Sequence, residues 1–250
     1  MSNPMKYGPA KRIMLRFPGL RDFGARFFTY LPQSVSPLAY DLSRRTLFRD
    51  NLNRLPVFRA AMETVAKSDC PGDYLEFGVA RGTSLITAYK QSKRFKALDD
   101  MQFHAFDSFE GLPDSEGFFV KGEMSYDEQT FRRFASKAGI DLSRVTTTPG
   151  FYDKTLTQRR AEELGISADR AHLVHIDCDL YVSTVPVLKF LTPVLGTGSV
   201  IIFDDWFNFD HEDVPGDHGE QRAFDEWSER GKMRELHVTP MWNASFVKET

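Results

Sequence analysis

The sequence predicts a doubly wound α/β fold, in which a mostly parallel sheet carries helices on both faces and ends in an antiparallel hairpin. Three observations predict it. Helical and strand patterns alternate after about residue 55, as in a series of βαβ units. Most strand candidates are nearly continuous apolar runs, which is typical of parallel strands that are buried on both faces. The last two candidates lie close enough together in sequence to form a hairpin.

Seven strand candidates account for this sheet. The five candidates for parallel strands are DYLEFGV (73–79), QFHAFD (102–107), RVTTTPG (144–150), AHLVHID (171–177) and GSVIIFDD (198–205). The two candidates for the terminal hairpin are RELHVTP (234–240) and NASFVKE (243–249).

Helical patterns fill the segments between the strands. They cover residues 57–67, 83–95, 128–138, 183–192 and 220–230. The third of these helices has the clearest signals, since Asp127 is a suitable N-cap and Gly139 a suitable stop. Its predicted apolar face consists of Phe131, Phe134, Ala135 and Ala138, with the spacing of one helix face.

The composition is that of a soluble enzyme. Hydrophobic residues make up 41% and charged residues 27% of the 250 residues, and the net charge is -3. Such a charge gives no general attraction to nucleic acid, which excludes a nucleic-acid partner. The two cysteines, Cys70 and Cys178, are too few for a disulfide framework. A reducing compartment and a cytoplasmic location are therefore predicted.

The N-terminal region differs from the rest in charge. The first 54 residues contain ten basic and three acidic residues. An arginine recurs every few residues, which excludes an uninterrupted apolar signal peptide or membrane span. We interpret residues 1–55 as a basic arm or lid that packs on the domain at 56–250 or on a second subunit of a homodimer. Contact with an anionic membrane is the less favoured alternative.

Glycines and hydroxyl residues follow the first strand, where ligands of a doubly wound sheet bind. The segment EFGVARGTS contains Glu76, Gly78, Gly82, Thr83 and Ser84. Glycines let the backbone turn tightly and approach a ligand, and the next helix start can hold a carboxylate or phosphate. The spacing is not the G-x-G-x-x-G dinucleotide fingerprint. A glycine that the turn alone requires is an alternative explanation.

An acidic residue, Asp107, follows the second strand. A carboxylate at this position can accept hydrogen bonds from the ribose diol of a nucleotide cofactor. The alternative is a turn cap, because Asp107 followed by Ser108 is also typical of turns. The glycine turn on the neighbouring strand favours the cofactor interpretation.

Four carboxylates follow the fourth and fifth strands. They are Asp177, Asp179, Asp204 and Asp205. Like charges at one sheet edge repel unless a cation or protons intervene. A hard divalent cation such as Mg²⁺, Mn²⁺ or Ca²⁺ suits oxygen ligands, whereas zinc prefers His or Cys. The alternative is that these carboxylates cap helices or lie in solvent.

Strand alternation refines this prediction. His175 and Asp177 share one face of the fourth strand. His175 lies deeper in the strand, so a hydrogen-bonded core histidine is favoured over a metal ligand. Asp204 and Asp205 point in opposite directions if the fifth strand stays regular.

Four segments in order, EFGVARGTSL, DSFEGLP, HIDCDLYVST and IIFDDW, resemble the macrocin O-methyltransferase (TylF/MycF) family of sugar O-methyltransferases. The resemblance covers about Asp73 to Trp227. It implies the class I methyltransferase fold, which is Rossmann-like with seven strands and a terminal hairpin. It also implies a catalytic domain at 56–250 that binds S-adenosylmethionine and depends on Mg²⁺. The implied acceptor is a sugar hydroxyl of a small-molecule glycoside or a polysaccharide.

The resemblance also implies roles for individual residues. The implied cofactor-binding residues are Glu76, Gly78, Gly82, Thr83, Ser84, Asp107, Ser108, Gly150 and Phe151. The implied metal ligands are Asp177, Asp204 and Asp205. Asp177 or Asp179 would be the general base, and Asp177 is favoured because it is the first carboxylate at its strand end.

Two other functions are considered. An NAD(P)-dependent oxidoreductase shares the glycine turn and the acid after the second strand, but its chemistry does not explain four carboxylates. A non-catalytic module of the same fold is less compatible with the complete carboxylate set.

Trp206 stands where the family commonly has Tyr, and an insert-like segment follows at 207–219. The identity of the acceptor is therefore left open.

Overall fold

The computed structural model of the chain describes residues 54–116, 119–207, 219–239 and 243–249. These residues belong to a unit that extends from Asn53 to Thr250. The predictions for the arm before residue 54 and for the insert at 208–218 lie outside the described residues.

The described residues form a seven-stranded sheet. Its strands are β1 (Pro71–Phe77), β2 (Phe103–Asp107), β3 (Val145–Pro149), β4 (Ala171–Ile176), β5 (Val200–Phe203), β6 (Met233–Thr239) and β7 (Asn243–Lys248). The strand order is β3-β2-β1-β4-β5-β7-β6. The first five strands pair in parallel, while β7 is antiparallel to both β5 and β6. The predicted doubly wound sheet with a terminal hairpin is confirmed.

Helices connect the strands in the described part of the chain. They are α1 (54–66), α2 (Thr83–Ser92), α3 (Glu128–Lys137), α4 (Tyr152–Thr155), α5 (Gln158–Leu164), α6 (Tyr181–Leu191) and α7 (Gly219–Glu226). Single turns of 3-10 helix occur at Lys96–Leu98, Leu142–Arg144 and Arg230–Lys232. None of the helices in the described residues is long and apolar enough to cross a membrane.

The sequence did not predict α4 and α5. The first is a single turn, and the second buries only Ala161 of its seven residues, so neither shows an apolar period. The predicted helix at 83–95 ends at Ser92, whose hydroxyl donates to the carbonyl of Tyr89. Such a side-chain bond competes with the helical backbone pattern.

The prediction for α3 is largely confirmed. The Asp127 carboxylate accepts a hydrogen bond of 2.8 Å from the backbone of Thr130, as an N-cap does. Phe131 and Ala135 are buried, but Phe134 is 40% exposed. The buried stripe of this helix is therefore narrower than the predicted face.

Two hydrophobic cores lie on opposite faces of the sheet because side chains alternate along each strand. Tyr74, Leu173 and Ile202 pack with the side chains of α1, α2 and α3. The neighbouring residues Leu75, Val174 and Ile201 pack with those of α5, α6 and α7. The described sheet thus lies between two layers of helices. Every second residue of each strand, such as Tyr74, Leu173 and Ile202, faces the layer that contains α1.

The strand order reverses between β1 and β4, which is where doubly wound sheets bind ligands. Glu76 of β1 lies beside His175 of β4 in the register of the two strands. The Asp177 N–H continues this pairing past the end of β4 and donates to the Phe77 carbonyl at 2.8 Å. The glycine turn after β1 and the acids after β4 therefore lie side by side.

Candidate functional site

The glycine turn after β1 is shaped by close contacts within the protein. Gly78 has a φ of 87°, and a β-carbon there would lie 1.8 Å from the Asp177 carbonyl oxygen. Gly82 has a φ of 81°, and its β-carbon would lie 2.7 Å from the Phe131 ring. The packing alone thus requires both glycines. Gly82 has no side chain with which to cap α2, and Thr83 begins that helix, so its N-terminus keeps its anion-binding character.

Glu76 and Ser84 bind each other below this turn. The Ser84 hydroxyl donates to Glu76 Oε1 at 2.6 Å, and the Tyr74 hydroxyl donates to Oε2. Burial raises the pKa of Glu76, and the nearby His175, Ser84 and Tyr74 lower it by less. The two residues therefore tie the start of α2 to β1 in this structure.

The Asp107 carboxylate joins the second strand end to the glycine turn. Oδ2 accepts hydrogen bonds from the backbone of Val79 at 2.7 Å and of Ala80 at 2.9 Å. Oδ1 accepts from the backbone of Phe109 at 2.7 Å. A carboxylate offers about four lone-pair sites, so roughly one is left for a ligand. Asp107 is therefore the turn cap that the sequence offered as the alternative, with capacity for one further donor.

Ser108 and Gly150 complete this edge. The Ser108 hydroxyl donates to the Gly111 carbonyl at 2.8 Å, which closes the turn after β2. The Gly150 N–H donates to the Asp107 carbonyl at 2.9 Å, and Phe151 is the N-cap of α4. The predicted cofactor residues consequently lie along the ends of three neighbouring strands, β1, β2 and β3.

Arg54 of α1 supplies a cation to the carboxylates, which the sequence analysis did not predict. Its Nε donates to Asp204 Oδ1 at 2.8 Å, and its Nη2 donates to Asp204 Oδ2. The same Nη2 donates to Asp177 Oδ2 at 3.3 Å. The sequence counted Arg54 only as one charge of the basic arm. The sequence carries no local signal for this contact, since Arg54 lies 150 residues before Asp204.

The pKa values of Asp204 and Asp177 shift in opposite directions, and the charge of Arg54 contributes to this difference. Burial alone raises the pKa of Asp204, but the Arg54 charge and hydrogen bonds outweigh it and hold the pKa well below its ordinary value. Burial raises the pKa of Asp177 well above its ordinary value, and repulsion from Asp204 adds to this. Asp204 consequently stays ionised to lower pH, whereas Asp177 takes up a proton more readily.

His175 lies against the same pair and is completely buried. Its Nε2 is 3.5 Å from Asp204 Oδ1, a contact without hydrogen-bond geometry, and Nδ1 has no hydrogen-bond partner. Burial lowers the pKa of His175, but Asp204 and Glu76 raise it by more. A ligand atom from each of His175, Asp177 and Asp204 lies within 4.8 Å of the others, so these residues are able to hold a metal ion.

Asp179, Asp205 and Glu220 of α7 lie next to these groups, and Asp205 is close enough to Asp177, Asp204 and Arg54 to affect their charges. The carboxyl groups of Asp179 and Asp205 are hydrogen bonded to each other. Glu220 accepts from the backbone of Cys178 at 3.1 Å and of Asp205 at 3.2 Å. Burial raises the pKa of Asp205 and of Glu220 well above their ordinary values, so these two groups take up protons more readily than exposed carboxyl groups do. β5 ends at Phe203, so Asp204 and Asp205 lie beyond the regular strand on which the predicted alternation depended.

Glu116 is a further residue that the sequence analysis missed, because it lies in a loop without a periodic pattern. Its Oε2 accepts from the Tyr181 N–H at 2.9 Å and its Oε1 from the Gly219 N–H at 2.8 Å. Glu116 therefore fixes the starts of α6 and α7 beside the carboxylates.

The chain is similar in sequence to known O-methyltransferases. Residues 50–213 match the family model described as macrocin-O-methyltransferase (TylF). The chain is 30% identical over 166 residues to a Streptomyces olivaceus protein, the 8-demethyl-8-(2,3-dimethoxy-alpha-L-rhamnosyl)-tetracenomycin-C 4'-O-methyltransferase. It is 29% identical over 168 residues to the mycinamicin III 3''-O-methyltransferase of Micromonospora griseorubida. These matches cover 62% of this chain and 60% and 63% of the relatives, respectively.

Solved structures show the same fold. The O-methyltransferase NovP superposes with a TM-score of 0.60 at 22% identity, over 79% of this chain and 80% of NovP. The calicheamicin methyltransferase CalS11 superposes with a TM-score of 0.64 at 20% identity, over 97% of this chain and 94% of CalS11. The expected class I methyltransferase fold is confirmed.

Proposed function

Since this chain belongs to the macrocin O-methyltransferase family, we propose that it transfers a methyl group from S-adenosylmethionine to a sugar hydroxyl of a glycoside or polysaccharide. The observation that carries the proposal is the meeting of the glycine turn after β1 with the acids after β4, at the reversal of strand order. The name of the Streptomyces olivaceus relative, with its rhamnosyl group and 4'-O-methyl transfer, supports a sugar acceptor.

The described residues fit the cofactor. The N-terminus of α2 suits the methionine carboxylate, and the remaining acceptor capacity of Asp107 suits the ribose. Gly150 and Phe151, beside Asp107, would border the adenine. When bound, S-adenosylmethionine would supply a methyl carbon to which the acceptor oxygen bonds as the C–S bond opposite breaks and S-adenosylhomocysteine leaves. The protein's main contribution is to hold the acceptor oxygen opposite that bond, which is worth up to about 7–11 kcal/mol.

Asp177 is the favoured general base. Its raised pKa brings the carboxylate closer to the pH at which it must accept the acceptor proton. Asp179 is the second candidate, but it is buried and hydrogen bonded to Asp205. In this proposal Asp177 removes the hydroxyl proton, and Asp204 keeps its negative charge because its pKa is lowered.

The metal part of the proposal assigns a divalent cation to Asp177 and Asp204. The buried His175 nitrogens, which lack hydrogen bonds, offer a further ligand, and the mixed donor set suits Mn²⁺ as well as Mg²⁺. Asp205, the third predicted ligand, interacts with Asp179 and lies near Asp204, while its backbone N–H donates to Glu220. A cation at this position would lower the pKa of the acceptor hydroxyl.

The proposed function includes a basic arm at 1–55, a catalytic domain at 56–250 and assembly of the chain into a homodimer. The boundary between the arm and the domain falls inside α1, which is continuous from residue 54 to 66.

The first test is ligand binding by thermal shift with the full chain. We expect S-adenosylhomocysteine to raise the melting temperature and NAD⁺ or NADP⁺ to leave it unchanged. The opposite result would favour the oxidoreductase, and no response to either ligand would favour the non-catalytic module.

The second test is methyl transfer from radiolabelled S-adenosylmethionine to a panel of deoxysugar glycosides and polysaccharides. Asp177→Asn is expected to reduce the rate at least 100-fold, as for loss of a general base. If the Asp177→Asn and Asp204→Asn variants kept full activity that EDTA did not affect, the metal part would be wrong.

A further inference from the structure

Arg54 occupies the carboxylate oxygens that a divalent cation would need. Its guanidinium makes a two-point contact with Asp204 and also reaches Asp177. Two-point pairs between arginine and a carboxylate are among the stronger polar contacts in proteins. A cation that binds these oxygens therefore competes with the guanidinium for their lone pairs.

The charges at this site favour replacement of the Arg54 guanidinium by the cation over binding of both together. Two carboxylates carry two negative charges, of which Arg54 neutralises one in a largely buried setting. The side chains of Arg54, Asp204 and Asp177 are only 18%, 11% and 24% exposed, so water screens these charges little. A divalent cation alone would neutralise the pair, whereas the cation and the guanidinium together would leave positive charges repelling each other.

Apolar side chains anchor the rest of α1 in the core. Val57, Phe58, Ala61, Met62 and Val65 are completely buried in the core on that face of the sheet. Moving the helix would expose this apolar face to water, which is unfavourable. Replacement of the guanidinium is therefore expected through rotation of the Arg54 side chain.

We propose that Arg54 is the resident counter-cation of this site and that a divalent cation binds Asp177 and Asp204 only by displacing its guanidinium. Arg54 thereby weakens cation binding and keeps the two carboxylates together when no cation is bound. The inference rests on the metal site of the proposed function but needs neither cofactor nor acceptor.

The test is Mn²⁺ binding to the full chain, with free Mn²⁺ measured by electron paramagnetic resonance. Arg54→Met removes the charge and keeps the apolar stem, and Arg59→Met removes an exposed charge from the same helix as the control. We expect Arg54→Met to bind Mn²⁺ at least tenfold more tightly than the wild-type chain and Arg59→Met. In EDTA, Arg54→Met should melt at a lower temperature than both, and Mn²⁺ should reverse the loss.

Equal or weaker Mn²⁺ binding by Arg54→Met, or no binding by any chain, would overturn the inference. If Arg54→Met does not fold in EDTA, Arg54→Lys decides, because lysine keeps the charge but loses the two-point contact. Arg54→Lys is expected to bind Mn²⁺ more tightly than the wild-type chain, and unchanged binding would again overturn the inference. Tighter binding without methyl transfer to any acceptor would contradict the proposed function and leave this inference standing.

Discussion

A β-carbon on Gly78 would lie 1.8 Å from the carbonyl oxygen of Asp177. The two residues follow neighbouring strands in the middle of the sheet, and Asp177 also donates its N–H to the strand that precedes Gly78. The turn that is proposed to hold the cofactor and the acid that is proposed to act as base are thus packed directly on each other. Residue 78 must be glycine whether or not a ligand is bound.

We expect Gly78→Ala to destabilise the protein far more than Gly139→Ala. Both glycines have a positive φ, 87° and 81°, but a β-carbon at Gly139 meets nothing within 4 Å. Gly139→Ala should therefore cost only the conformational strain of about 1–2 kcal/mol. Urea denaturation of the two variants measures the difference. Similar losses of unfolding free energy would show that the backbone at Gly78 moves away easily.

Asp107→Asn is expected to weaken binding of S-adenosylhomocysteine roughly tenfold or more. The amide would place N–H groups against the backbone N–H donors of Val79 and Ala80, or lose one of those bonds. A hydrogen bond to a charged group is worth about 1.5–3 kcal/mol. Titration calorimetry gives the dissociation constants, with the exposed Asp114→Asn as the matched control. Unchanged affinity in Asp107→Asn would remove Asp107 from the cofactor site.

Glu220→Gln is expected to lower kcat at least tenfold while the KM for S-adenosylmethionine stays within about twofold. One carboxylate of Glu220 holds the backbone after both β4 and β5, next to the proposed base. A displacement of about 1 Å at a reacting group is able to cost 100-fold in rate. Steady-state kinetics test this, and Asp225→Asn changes an exposed acid of the same helix as the control. Equal loss of kcat in both variants would argue for a general effect on α7.

Asp73→Asn is expected to lose about 1–2 kcal/mol of stability at pH 7. Asp73 lies at the opposite end of β1 from the site, where its carboxylate accepts from the Gln102 backbone and contacts His104 and Arg170. Burial raises the pKa of Asp73, but these contacts outweigh it and hold the pKa below its ordinary value.

The sign of the pH dependence follows from this lowered pKa. On acidification the unfolded chain takes up the proton first, so the contribution of Asp73 is complete above about pH 4 and declines as the pH falls through the lower folded value. The difference between wild type and Asp73→Asn should therefore shrink below pH 4 in urea denaturation. Asp69→Asn, at an exposed position, should show no such trend. A difference that grows on acidification would contradict the assignment.

The sheet was predictable because its strands are short apolar runs whose ends are marked by glycine, proline or aspartate. The N-cap Asp127 was predictable for a similar reason, since capping depends on neighbours in sequence. The helices α4 and α5 were not, because they are too short and polar to carry a period.

The candidate site was predictable only in part. The sequence predicted that acids after β4 and β5 would meet, and Asp177 and Asp204 do lie together, with Arg54 as their cation. That Arg54 would supply it was not predictable, because the pair joins residues 150 positions apart on elements whose packing the local pattern does not specify. Glu116 and Glu220 were missed for the same reason, since both act on backbone groups far away in sequence.

The distance of 150 residues between Arg54 and Asp204 also has a consequence for synthesis on the ribosome. At about 5–20 residues per second, the aspartate is made roughly 8–30 s after the arginine. Until β5 has been made, the apolar face of α1 lacks the β5 side chains that pack against it. Until β4 has been made, β1 lacks one of its neighbouring strands. Nascent chains that stop before β5 are therefore expected to bind holding chaperones. The charge centre is among the last features of the fold to assemble.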